Sequence, residues 1–257
     1  MLARLRSRGH AVSTERLERH ITFTHEIDAV ADLNRHLAAR VREAIEHGAA
    51  PVVLAGDCTA CLGTLAGVPA PVGIVWLDAH GDFNTPDTTV TGFLGGMPLA
   101  AAVGRCWTEM CASIPGFAPV PEDRVVLFGV RALDPREADL LHASAIHVID
   151  GATIRRHGIR PALEDALTPF RNRGADVYVH LDLDVLDPGC ARANRYAEPG
   201  GLTPDEIIEA VRTVGRQARV RAAALTAYDP GFDADGRALA AGLRVIEILA
   251  AVMRESR

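Results

Sequence analysis

The sequence has no stretch of about 18 consecutive apolar residues, the length a helix needs to cross a bilayer, so no membrane partner is expected. It has no basic run or patch either. Lys and Arg number 27 against 33 Asp and Glu, a net charge of −6, which argues against nucleic acid as a partner. The opening "MLARLRSRGH" is basic but leads into no apolar segment, so it does not read as a secretory signal. The five cysteines (Cys58, Cys61, Cys106, Cys111 and Cys190) are odd in number. Without a signal, that count predicts reduced thiols in a cytoplasmic protein. Cys58 and Cys61 form a C-x-x-C, but no second pair exists to complete a zinc site. Internal repeats, low-complexity segments and linkers are also lacking. The 257 residues, 48% hydrophobic, therefore read as a single domain over 1–257.

What is present is an alternation. "PVVLAGD" (51–57), "GIVWLDAH" (73–80), "RVVLFGVR" (124–131), "AIHVID" (145–150), "VYVHLDLD" (177–184) and "RAAALTAYD" (221–229) read as strands. They are mostly continuously apolar, the pattern of parallel strands covered on both faces. Between them lie helical patterns. Residues 28–47 follow a stripe of Ile27, Val30, Leu33, Leu37, Val41 and Ile45, with Gly48 as a stop. Residues 204–217 open with Thr203, Pro204 and Glu206, a capping box, and 238–253 form a last apolar helix. This alternation predicts a three-layer α/β/α fold with a doubly wound, mostly parallel sheet.

In such a sheet, ligands bind beyond the carboxyl ends of the strands. The acidic residues gather there: Asp57 and Cys58, then Asp78, His80 and Asp82, then Asp182 and Asp184. At i, i+2 spacing in a strand, Asp78 and His80 share one face, as do Asp182 and Asp184. Carboxylates with imidazole suit Mn²⁺, Fe²⁺, Co²⁺ or Zn²⁺, and two such ions can share a carboxylate and lower the pKa of a water. Packed carboxylates without a cation repel, which favours metal over simple turn capping.

The motifs "GDCT", "DAHGDFNTP", "GFLGGMPLA", "HLDLDVLDP" and "EPGGLT" occur in the order seen in the ureohydrolase superfamily of arginase, agmatinase and formimidoylglutamase. The chain resembles that superfamily over roughly residues 28–250, and its arginase branch most. The resemblance implies an arginase-like α/β fold and two manganese ions per chain, with a metal-bridging hydroxide attacking a guanidinium carbon. It implies one ion held by Cys58, Asp78, Asp82 and Asp182, and the other by His80, Asp78, Asp182 and Asp184. It further implies that Asn84 and Thr91 contact a substrate α-carboxylate and that Asp134 binds the α-amino group, with Glu137 a further acidic contact. The substrate is then a guanidino amino acid, and the assembly a homo-oligomer, a trimer or hexamer. The Asn-x-Pro and Asp-Pro contexts of Asn84 and Asp134 also read as plain turn formers.

Four positions depart from the family's pattern. Cys58 stands where the family has His: a softer ligand for Mn²⁺, or a buried thiol. Gly95 replaces a proton-shuttling His, Ala227 a guanidinium-gripping Glu, and Phe93 a carboxylate-binding Asn. His180 reads as a partner to a ligand, a proton donor or a core histidine. Asp82 and Glu198 are candidate acids, though Glu198 equally reads as a loop brace. Histidines outside these motifs, His20 among them, read as structural. The first family strand is expected to be missing, since "LARLRSRGHAV" resembles the helix and strand that follow it. The reading that results is a metal-dependent hydrolase of arginine, or of a modified arginine such as Nω-hydroxyarginine. An agmatinase-like or formimidoyl-type hydrolase and an inactive ligand-binding protein are the alternatives.

Overall fold

The computed structural model describes residues 1–18 and 22–255, so the expectation for His20 lies outside the described residues. Six strands form one sheet: β1 (Val52–Leu54), β2 (Val72–Leu77), β3 (Val125–Phe128), β4 (His147–Ile149), β5 (Asp176–Asp182) and β6 (Arg219–Thr226). Their order is β1-β6-β5-β2-β3-β4, and every pairing is parallel. Each predicted strand is present. The sheet is doubly wound, with chain connections crossing from its middle toward both edges.

The apolar runs divide by alternation into two cores. Val75, Leu77, Val126, Phe128, Val179 and Leu181 face one layer of helices, which includes Ile159–Arg173, Pro204–Gln217 and Arg237–Glu255. Ile74, Trp76, Val125, Leu127 and Tyr178 face the other, which includes Ala60–Gly67 and Pro98–Ala102. Strand β2 is buried at all six positions, which is why it reads as one apolar run. Burying each large apolar side chain of this kind contributes about 1.5–3 kcal/mol. The capping box at Thr203 is formed in both directions: Thr203 N donates to Glu206 Oε2 at 2.7 Å and Glu206 N to Thr203 Oγ1 at 3.3 Å.

Two expectations change. The helix at Glu26–Glu46 buries Val30, Ala31, Asn34, Ala38 and Val41, while Leu33 is 41% exposed. The face is narrower than the apolar stripe because the helix at Ala60–Gly67 approaches through Gly63 and Gly67. A Cβ at Gly63 would lie 2.6 Å from Asn34 O, and one at Gly67 2.6 Å from Val41 Cβ. Asn34 Oδ1 accepts from Gly63 N at 2.6 Å, so a polar residue is satisfied within the contact. The opening helix spans Leu2–Ser7, but residues 10–18 form no strand.

Candidate metal centre and active site

The two acidic motifs fold alike, though not as extended strand. Strand β2 ends at Leu77 and β5 at Asp182, so Asp78, His80 and Asp184 sit on the turns beyond. Asp78 Oδ1 accepts from His80 N at 2.8 Å, and Asp182 Oδ1 from Asp184 N at 2.8 Å. The first carboxylate of each motif thus caps the backbone two residues on. These turns, rather than strand alternation, bring each pair together. Because β2 and β5 are neighbours, the two turns meet. His80 Nδ1 lies 3.4 Å from both Asp78 Oδ1 and Asp184 Oδ2.

Cys58 enters from the loop after β1, with Sγ 3.0 Å from Asp182 Oδ2 and 3.2 Å from Thr226 Oγ1. The result is two groups of ligand atoms, each mutually within 4.8 Å: Cys58, Asp78 and Asp182, and Asp78, His80 and Asp184. Asp78 belongs to both. Asp82 is in neither group but lines the same cavity, and its buried Oδ2 has no hydrogen-bond partner. Its backbone is held at φ +48° while its carbonyl accepts from Leu99 N at 2.9 Å and Ala100 N at 3.2 Å. Asp tolerates this left-handed conformation better than most residues.

The electrostatics describe a site short of positive charge. Burial, then repulsion from neighbouring carboxylates, pushes Asp82 and Asp182 well up. The same causes bring Asp78 up to about 6. Burial and then Asp182 also raise the Cys58 thiol. Burial opposes charge on His80, but hydrogen bonds to Asp184 and Asp78 outweigh it and hold the imidazolium up to about 12. Mutually repelling buried carboxylates with an orphaned oxygen are the donor set a divalent cation neutralises, so the residues present fit such an ion.

The surrounding cavity is about 730 Å³ in volume and includes Asn84, Thr91, Asp134, Glu137 and Glu198 in its wall. Asn84 Nδ2 donates to Asp134 Oδ2 at 3.0 Å, so the expected pair meets directly. Glu137 is buried and accepts from Phe83 N at 2.9 Å and Asp134 N at 3.1 Å, bracing the two loops. Thr91 is exposed at the mouth, and its Oγ1 accepts from Phe93 N at 3.2 Å.

The chain matches the arginase family over residues 7–251. It is 35% identical over 211 residues to an arginase of Bacillus caldovelox, an alignment that spans 80% of this chain and 70% of that one. The chain belongs to the arginase family. An arginase crystal structure from Bacillus cereus superposes with a TM-score of 0.83 at 30% identity, covering 90% of this chain and 82% of that one. A formimidoylglutamase from Bacillus subtilis subsp. subtilis str. 168 shares the fold, with a TM-score of 0.74 at 20% identity over 91% and 70%. Membership of the arginase family makes the chain a hydrolase acting on amidino groups.

The positions expected to depart from the family pattern sit in the cavity wall. Gly95, Phe93 and Ala227 all line it, and Ala227 holds φ +61°. His180 does not line it. Its ring stacks on Trp76 with centroids 3.6 Å apart, its Nδ1 meets Tyr178 Oη at 2.7 Å, and it is fully buried. Burial lowers its pKa to about 3, so it is neutral. Of the three expectations the packing favours a core histidine: both ring nitrogens are taken by Tyr178 and Thr226 hydroxyls, and the ring reaches no solvent or substrate space.

The sequence reading missed three residues at this site. Trp76 Nε1 donates to Asp78 Oδ2 at 2.9 Å. Asn194 Nδ2 donates to Asp184 Oδ2 at 3.3 Å and to Ala227 O at 2.9 Å. Thr226 Oγ1 meets Cys58 Sγ and lies 3.3 Å from His180 Nε2. Trp76 is two residues before Asp78, the spacing that led to His180, but its apolar ring read as core. Nothing in the sequence singles out Asn194.

Proposed function

We propose that the chain is a manganese-dependent amidinohydrolase. It hydrolyses the guanidino C–N bond of an arginine-like amino acid and releases urea or a substituted urea. One observation carries this reading: both metal-ligating groups and the Asn84–Asp134 pair open into a single cavity. Cys58, Asp78, Asp82 and Asp182 would hold one ion, and His80, Asp78, Asp182 and Asp184 the other. Bound there, the ions supply a water activated near neutral pH and positive charge opposite the reacting carbon.

The chain's own residues do the rest. Asp134, held by Asn84 and by the Glu137-braced loop, receives the α-amino group, with Asn84 and Thr91 on the carboxylate side. Asp82 Oδ2, buried without a hydrogen-bond partner, is placed to carry a proton between the attacking water and the leaving nitrogen. Glu198, exposed at the rim, provides a second acid. Trp76 and Asn194 fix the carboxylates of Asp78 and Asp184 through their hydrogen bonds.

Ala227 favours a second, finer reading. Its methyl group leaves that part of the wall without a carboxylate for the guanidinium, which suits a modified arginine such as Nω-hydroxyarginine. Turnover of arginine, Nω-hydroxyarginine and agmatine, followed by urea and hydroxyurea release, separates these cases. The expected outcome is that agmatine is far the poorest substrate. Equal kcat/KM for agmatine and arginine would replace this reading with an agmatinase-like one. No release from any of them would leave a ligand-binding protein. Asp182→Ala should lose bound metal by elemental analysis, and unchanged metal content would refute the ligand set. The assembly proposed is a trimer or hexamer, to be measured by light scattering. No helix among the described residues is long and apolar enough to cross a membrane.

A further inference from the structure

A substrate carboxylate needs a cation or several donors, and the cavity wall is dominated by acids. Two arginines line it, Arg131 and Arg195. Arg131 is fully used: Nη1 donates to Gly129 O at 3.1 Å, and Nη2 to Asp184 O at 2.8 Å, Leu186 O at 3.2 Å and Glu198 O at 2.9 Å. Arg195 has no hydrogen bond or ion pair to any described residue, and its guanidinium stands 5.5 Å over the Tyr196 ring. Asn84 spends one amide N–H on Asp134 and its Oδ1 on Thr88 Oγ1 at 3.0 Å, so it brings a carboxylate a single neutral N–H and no positive charge.

Arg195 is also pre-positioned. Tyr196 stacks on Phe93 with centroids 5.6 Å apart. Phe93 in turn lies across Gly95, where an added Cβ would come within 2.5 Å of its ring. The three side chains therefore form a ladder that an added Cβ at position 95 would disturb by pushing the Phe93 ring aside. The loop beneath is tied down. Tyr196 N donates to Asn194 Oδ1 at 2.8 Å, and Gly200 N to Asp187 Oδ2 at 2.7 Å. An arginine held over an aromatic face keeps its N–H edges free and loses less freedom on binding a carboxylate.

We propose that Arg195, presented on the Gly95–Phe93–Tyr196 ladder at the cavity mouth, anchors the carboxylate of the amino-acid substrate. The proposal rests on the amino-acid reading of the cavity and explains two departures in it together: Gly95 and Phe93 form one device for placing a cation.

The test is calorimetric binding of L-ornithine and of putrescine, the same molecule without its carboxylate, to manganese-loaded protein. Neither probe carries a guanidino group, so binding is read apart from turnover. The wild type should prefer L-ornithine. Arg195→Gln should weaken L-ornithine by about tenfold or more and leave putrescine unchanged, since a charge-assisted pair is lost. Gly95→Ala should weaken L-ornithine in the same direction by displacing Phe93, with Arg195 intact. Retained putrescine binding shows that each variant is folded. Equal loss for both probes, no loss in Arg195→Gln, or no preference in the wild type overturns the anchor. If the preference is present and lost in Arg195→Gln, yet no guanidino compound releases urea, the anchor stands and the hydrolase reading falls.

Discussion

At the residue scale, Cys58 brings a thiol into a cluster otherwise made of carboxylates and one imidazole. Its thiol is buried, pushed up in pKa by burial and then by Asp182, and 3.0 Å from that carboxylate. A metal there must displace the thiol proton, and a hard ion such as Mn²⁺ gains little from sulfur in return. The two ions should therefore differ in affinity, with the Cys58 subsite the weaker for Mn²⁺. Cys58→His should raise Mn²⁺ affinity at that subsite by about tenfold, read in a titration followed by electron paramagnetic resonance. Coincident curves for wild type and variant would show that Cys58 is not a ligand. Arginine turnover should stay low in the variant, because Gly95 and Ala227 are unchanged.

At the element scale, the helices at Glu26–Glu46 and Ala60–Gly67 pack closely because Gly63 and Gly67 lack a Cβ. The second helix begins two residues after Cys58 and ends against Val41, so this contact also sets where the Cys58 loop leaves β1. An alanine at Gly63 would place its Cβ 2.6 Å from the backbone Asn34 O and 2.7 Å from the side-chain Asn34 Oδ1, and the helix backbone cannot give way cheaply. Gly63→Ala should destabilise the fold by about 1–3 kcal/mol through overpacking, despite alanine's better helix propensity. Thermal unfolding checks the sign: a Tm equal to or above wild type would mean the two helices separate without cost.

At the scale of the whole molecule, the carboxylate cluster ties stability to pH and metal. Asp78 rises to about 6 in the fold from an ordinary 3.8, with burial the main cause and repulsion from Asp184 next, and burial pushes Asp82 and Asp182 well up too. These carboxylates thus bind more protons in the fold than in the unfolded chain above pH about 4, and together they outweigh His180, which is held neutral and binds fewer between pH about 3 and 6.5. The stability these groups contribute is fully present below that pH and is lost as pH rises through their folded pKa values. For Asp78 alone the loss spans roughly pH 4 to 6 and amounts to about 3 kcal/mol. Metal-free protein should therefore melt lower at pH 7 than at pH 5. Added Mn²⁺ should raise Tm more at pH 7, where it competes with fewer protons. A metal-free Tm that climbs from pH 5 to 7 would show that the carboxylates are relieved some other way.

Much of this was legible in the chain. The six parallel strands were readable because strands buried on both faces must be continuously apolar, and β2 is apolar from Val72 to Leu77. The metal motifs were readable because few other uses justify Asp78, His80, Asp182 and Asp184 at the ends of such strands. The fold alone decided how they meet. Local spacing suggested shared strand faces, but Asx-type turns beyond the strands, together with β2 and β5 being neighbours, set the distances. It also decided that His180 packs against Trp76 away from the cavity, since a strand position gives a face but not what lies over it. Arg195 and Asn194 stayed hidden for the same reason. They lie on an irregular loop with no periodicity, and what they meet, Phe93 through the adjacent Tyr196 for one and Asp184 and Ala227 for the other, is brought near only by the path of that loop over the sheet.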